Sequence, residues 1–260
     1  MILTTVIFLS ATLLGGWAFV LLGQRGMDNL SLILSFGGSF IIGMCFLHLV
    51  PEAFSSSTFA GVWVLAGFLI QGLLEFLSKG IEHGHFHAHE HNEHCEDHFQ
   101  WNRLPWAALG SLALHAALES MPVMDHSNHV HHEGHVHGPL ALDMIDWGLV
   151  TGLVLHKVPV AMVLMAMMLE QHVPRRTAWI VLVAFGLSPL AGMLAFEGLF
   201  HTLPQEIATV FPAWMQALVV GILLHIGTTV LFEAGDGHAF NLKKFAATCV
   251  GVGVSLLAFL

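Results

Sequence analysis

Apolar residues run along this chain in eight long stretches separated by short polar segments. A membrane-spanning helix needs about 20 mostly apolar residues. The pattern predicts spans at 2–22, 30–50, 60–77, 104–123, 145–169, 177–200, 211–232 and 239–260. Two are less regular than the rest. The third contains Gln71 and Glu75, and the eighth has Lys243 and Lys244 near its start. The expected fold class is all-α, a polytopic membrane protein whose residues 1–260 form one membrane domain.

The basic residues set the orientation. Arg25 follows span 1, Lys79 and Arg103 flank the segment between spans 3 and 4, Arg175 and Arg176 lie between spans 5 and 6, and Lys243 and Lys244 lie between spans 7 and 8. With eight spans these positions share one side of the membrane. The opposite segments, 51–59, 124–140 and 201–210, contain no Lys or Arg. Cytoplasmic loops carry the excess of Lys and Arg, so the basic side is expected inside and both termini outside. The remaining basic residue, Lys157, falls within span 5. A charge near the bilayer centre costs about 2.5–3.5 kcal/mol on insertion scales, so Lys157 is expected to face other helices and to have a partner.

Composition fits this picture. Of 260 residues, 55% are hydrophobic and 10% charged, where a soluble domain carries about 25% charged residues. The formal net charge of −10 excludes a basic surface for nucleic acid. Cys45, Cys95 and Cys249 are too scattered for a disulfide framework. The N-terminal apolar run has no basic region ahead of it and is long enough to span, so it reads as a helix and not as a signal peptide.

Histidine changes the picture most. Thirteen of the 20 histidines fall in two short segments. One, within 82–100 on the cytoplasmic side, holds His83, His85, His87, His89, His91, His94 and His98. The other, within 124–140 on the opposite side, holds His126, His129, His131, His132, His135 and His137. Imidazole suits zinc, copper, nickel and iron, and the interleaved carboxylates add oxygen ligands. Neither segment has the spacing of a fixed tetrahedral site. Both read as metal-collecting loops, and collectors on both faces suggest passage of metal.

Polar residues inside the spans locate candidate chemistry. His115 and Glu119 are four apart in span 4 and share a helix face; two ionisable groups at membrane depth are expensive without a role. Span 5 has His156 and Lys157 followed by Pro159, which frees the carbonyl of Leu155 and predicts a broken helix. Span 2 ends with His48, Pro51 and Glu52, and span 7 has His225 with Glu233 two turns on. His48, Glu52 and His225 are pathway candidates; the simpler readings are an interface anchor for the first two and a bond to a neighbouring helix for His225. Met162, Met165, Met167 and Met168 read as packing residues.

These residues resemble the ZIP family of zinc and iron transporters. The likeness lies in His115-Ala-Ala-Leu-Glu119-Ser120 of span 4, His156-Lys157-Val158-Pro159-Val160 of span 5, Ser188-Pro189-Leu190-Ala191 of span 6 and Leu47-His48-Leu49-Val50-Pro51-Glu52 of span 2, together with the eight-span topology and the histidine-rich loop after span 3. The resemblance implies a two-metal transport site, an elevator-like motion of spans 1, 4, 5 and 6 against spans 2, 3, 7 and 8, and a homodimer. The matching primary ligands are His115, Glu119 and His156. Ala116, Lys157, Val160 and Ser188 stand where auxiliary ligands are usual. The expectation is a single metal site, with the Lys157 ammonium where a second metal would sit.

The reading is therefore an integral membrane importer of a divalent transition metal, expected in a bacterial inner membrane, and not an enzyme. Zinc comes first as substrate, with iron, manganese, cobalt and cadmium as alternatives, and no organic cofactor is implied. The competing readings are a non-transporting sensor that keeps only the scaffold and a membrane zinc hydrolase with three protein ligands and water. A metal-exporting antiporter of another fold fits the span count less well.

Overall fold

A computed structural model of the chain describes residues 1–23, 30–78, 106–124, 145–233 and 242–260. The described residues form α1 (Ile2–Leu22), α2 (Leu30–Met44), a π-helical turn (Cys45–Leu49), α3 (Val50–Ser56), α4 (Ala60–Ser78), α5 (Trp106–Glu119), a 3-10 turn (Met121–Val123), α6 (Trp147–Glu170), α7 (Arg175–Thr202), the short α8 (Gln205–Ala208), α9 (Phe211–Glu233) and α10 (Leu242–Phe259). Helices close their own backbone hydrogen bonds, which apolar surroundings require. Both histidine-rich loops lie outside the described residues, as do Arg25, Lys79 and Arg103.

Seven helices among the described residues are long and apolar enough to cross a membrane. Of the predicted fourth span, the described residues begin at Trp106: they form α5, which ends at Glu119, and the 3-10 turn at Met121–Val123.

Three expected boundaries move. Residues 51–56, expected in a loop, are helical: α2, the π-turn and α3 run on as one rod from Leu30 to Ser56. Within the π-turn the Val50 N–H reaches back five residues to Cys45 O. Pro51 has no N–H to offer the preceding turn, and the wider turn absorbs that loss. The segment after α7 also contains the helical turn α8. The break expected at Pro159 does not occur. α6 runs unbroken from Trp147 to Glu170 with Pro159 inside it, and α7 likewise passes through Pro189.

The helices fall into two groups. α1 packs on α6 and α7, and α5 packs on α7. α2 packs on α10 and α9, and α4 packs on α9. Contacts between α2 and α6 and between α4 and α5 join the groups. These sets are spans 1, 4, 5 and 6 against spans 2, 3, 7 and 8. The central helix is α6, buried along most of its length.

The bundle has two ends. One brings together Met1, whose amino group donates to Met124 Sδ at 3.7 Å, the Met124–Ile145 bridge, and His48, whose ring stacks on Phe259. The first and last helices thus return to this end. Arg175, Arg176, Lys243 and Lys244 begin α7 and α10 at the other. The core divides along the same axis. Phe8, Phe40, Met44, Val123 and Leu149 belong to a cluster toward the first end. Phe19, Leu34, Leu112, Met165 and Leu182 belong to one toward the basic end. All four span-5 methionines are buried in the latter, as packing residues would be. Outward positions such as Leu65, Leu69, Phe76 and Leu257 stay exposed and suit hydrocarbon.

Backbones touch where α4 crosses α9. A Cβ on Gly67 would stand 1.9 Å from Leu218 O, and one on Gly221 would stand 1.9 Å from Val64 O. Small residues at such crossings replace the hydrophobic driving force that lipid cannot supply. Gly221→Val is expected to cost about 1–3 kcal/mol by overpacking, read as a lower melting temperature in detergent. Gly253→Val, with nothing within 4 Å of its Cβ, is expected to leave melting unchanged.

Candidate metal site

Between the two core clusters lies a layer of buried polar side chains. His115 is 1% exposed, Glu119 0%, His156 4% and Lys157 1%. α5 presents the first two from successive turns, and α6 presents the other two. His115, Glu119 and His156 each offer a ligand atom, and these atoms lie within 4.8 Å of one another. The two imidazole rings meet edge to face at 5.8 Å between centroids.

Each group has a defined setting. Lys157 Nζ donates to Glu119 Oε1 at 2.5 Å. The ammonium also lies 5.7 Å from the Phe8 ring centroid and 5.6 Å from that of Phe185, so α1 and α7 supply π faces to the same charge. The expected partner of Lys157 is thus Glu119. His115 Nδ1 lies 2.9 Å from Gln71 Oε1 on α4. An amide oxygen accepts, so with Gln71 placed this way Nδ1 carries the proton and Nε2 presents its lone pair. That lone pair faces Glu119 Oε2 at 3.1 Å. Glu119 Oε2 completes no hydrogen bond among the described residues. A proton or a metal ion between these two atoms makes the contact attractive. Glu119 also closes α5, where the negative end of the helix dipole favours positive charge.

The other sequence candidates are placed differently. Ala116 and Val160 are buried in the core, and Ser188 Oγ turns back to Ala184 O on its own helix. His225 Nε2 lies 2.7 Å from Glu75 Oε2 on α4 and does not join the buried layer; this is the neighbouring-helix bond expected of a lone span histidine. His48 lies near Glu52 and Asp146 at the end of the bundle that carries Met1. Sequence reasoning missed Gln71, Glu75 and Asp146. Gln71 and Glu75 are four apart in an apolar span, the same signal that marked His115 and Glu119, yet they read only as a flaw in the span.

An all-helical polytopic membrane protein with a His, Glu and Lys cluster buried inside its bundle is the class these features define. The family model described as ZIP Zinc transporter matches residues 145–258, a stretch that is similar to that family. It holds His156, Lys157 and Ser188, while His115 and Glu119 precede it. This match supports a metal transporter. No curated protein matches the chain.

The ion pair makes a stability test. Removing one partner of a buried pair leaves the other uncompensated and costs about 3–5 kcal/mol. Lys157→Met is expected to lower the melting temperature of the purified protein strongly, and adding Glu119→Gln to recover most of the loss. A double variant no more stable than Lys157→Met would show that the pair is not the coupling between these helices.

Proposed function

We propose that the protein imports a divalent transition metal, zinc foremost, into the cytoplasm through a single buried site of His115, Glu119 and His156. The observation that carries this reading is the buried cluster of His115, Glu119 and His156, whose ligand atoms lie within 4.8 Å of one another. Two imidazoles and a carboxylate form a donor set suited to zinc. The basic residues at one end of the bundle support placing that end in the cytoplasm. The two helix groups support alternating access of an elevator-like kind, α1, α5, α6 and α7 moving against the rest; a homodimer and a bacterial inner membrane belong to the same proposal.

Lys157 has a specific part in this proposal. Glu119 Oε1 stays on the ammonium while Oε2 serves the metal, so one carboxylate answers two cations. The fixed charge occupies the place of a second metal and repels the first, which favours release over tight retention. Gln71 is the positioning residue. It reaches from the second helix group to hold His115 in the tautomer whose Nε2 can ligate.

The same ion pair favours one other reading, a scaffold that has lost transport, because Lys157 already neutralises Glu119. Influx into proteoliposomes loaded with a zinc-sensitive dye separates the two. Wild type is expected to take up zinc, and His115→Ala/Glu119→Ala to lose that uptake. Wild type that is folded and inert would establish the non-transporting reading. Gln71→Leu is expected to weaken apparent zinc affinity roughly 10–100-fold, seen as a raised KM with a smaller change in maximal rate.

A further inference from the structure

A second group of ligating side chains lies far from the buried triad, at the end of the bundle that holds Met1 and Met124. His48 comes from the π-turn, Glu52 from α3 and Asp146 from the N-cap of α6. Each offers one ligand atom, and the three atoms lie within 4.8 Å of one another. We propose that they form an outer site for a divalent transition metal. It is the first station of an ion on its way to the triad. The step onward rests on the transport reading, but occupancy of the outer site does not.

The placement of His48 is built. The π-turn re-registers the helix just before Pro51; such turns gather at functional positions. The imidazole stacks on Phe259 at 5.4 Å between centroids and 9° between planes. Gly148 lies at the edge of this stack, where a Cβ would come within 2.9 Å of both His48 Cδ2 and Phe259 Cε1. A larger residue at 148 would push the stacked rings aside, so α6 is cut back for the pair.

The carboxylates are held as well. Asp146 Oδ1 accepts from the Leu149 N–H at 2.9 Å and lies 3.3 Å from His48 Nε2. Glu52 Oε2 accepts from Gln216 Nε2 at 2.6 Å. One imidazole and two carboxylates favour zinc, ferrous or manganous ion, the imidazole selecting against calcium and magnesium. Three protein ligands leave room for water on the metal, the arrangement of an exchangeable ion. The side chains of His48 and Asp146 are 36% and 14% exposed, so an ion has access. The site joins the two helix groups, since His48 and Glu52 belong to the α2–α3 rod and Asp146 to α6. Ten residues separate Asp146 from His156 along α6, roughly 15 Å at helical rise.

The test must see this site apart from the histidine-rich loops, so it reads position. The full chain in detergent is exposed to ferrous ion and hydrogen peroxide, and oxidised residues are mapped by peptide mass spectrometry. Iron held at the outer site is expected to oxidise the segment around His48 several-fold above the metal-free reaction, and excess zinc to suppress it. Asp146→Asn is expected to return this oxidation to background. Asn is an equally good N-cap, so an unchanged melting temperature would show α6 intact. Glu52→Gln, which can still accept from Gln216, is expected to act likewise, while His115→Ala leaves the signal unchanged. Oxidation around His48 that is absent, or that persists in Asp146→Asn, would overturn the outer site. Failure of zinc influx with this signal intact would instead count against the transport reading alone.

Discussion

A buried ammonium and a buried carboxylate, Lys157 and Glu119, are the interaction on which the rest of the bundle turns. Neither side chain is more than 1% exposed. Transferring either ion alone into such surroundings costs several kcal/mol, and pairing repays that cost only with good geometry and further contacts. Those contacts come from elsewhere. Phe8 and Phe185 face the ammonium, and His115 lies beside the carboxylate. Four helices, α1, α5, α6 and α7, are thereby tied to one charge pair. They are the helices that pack together as one group.

The pair also shapes what the site can hold. With Oε1 committed to Lys157, Glu119 turns only Oε2 toward the histidines. A dication entering there meets two imidazoles, one shared carboxylate and a nearby positive charge. Under the proposed function this favours an ion in passage over one retained. The bond from Gln71 to His115 crosses from the other helix group, so sliding one group past the other would change the setting of a proposed ligand. The outer cluster makes the same crossing with different side chains, which places both candidate sites on the seam between the groups.

Much of this was legible in the sequence because membranes make burial costly and so make exceptions visible. Among the described residues seven of the predicted apolar runs are helices long enough to span, and the first, at Ile2–Leu22, has the expected boundaries. His115, Glu119, His156 and Lys157 stood out as ionisable groups inside such runs, and the structure brings them together. What failed was local backbone reasoning. Pro159 sits in an unbroken helix because a proline removes one hydrogen bond and packing on every side of α6 holds the turn. Pro51 sits in a helix, just after a π-turn, where a loop was expected to begin. Gln71 and Asp146 were missed because their meaning is relational. A glutamine in an apolar helix or an aspartate at a helix start has an ordinary local explanation until the fold sets it beside a histidine.

The proposed single-metal site is tested most directly by anomalous diffraction at the zinc edge from crystals of the full chain grown with zinc. One peak is expected in the buried layer, about 2.0–2.2 Å from a nitrogen of His115, a nitrogen of His156 and an oxygen of Glu119, with Lys157 still on the other carboxylate oxygen. Two peaks in that layer with Lys157 displaced, or no peak there beside zinc bound elsewhere, would contradict the account.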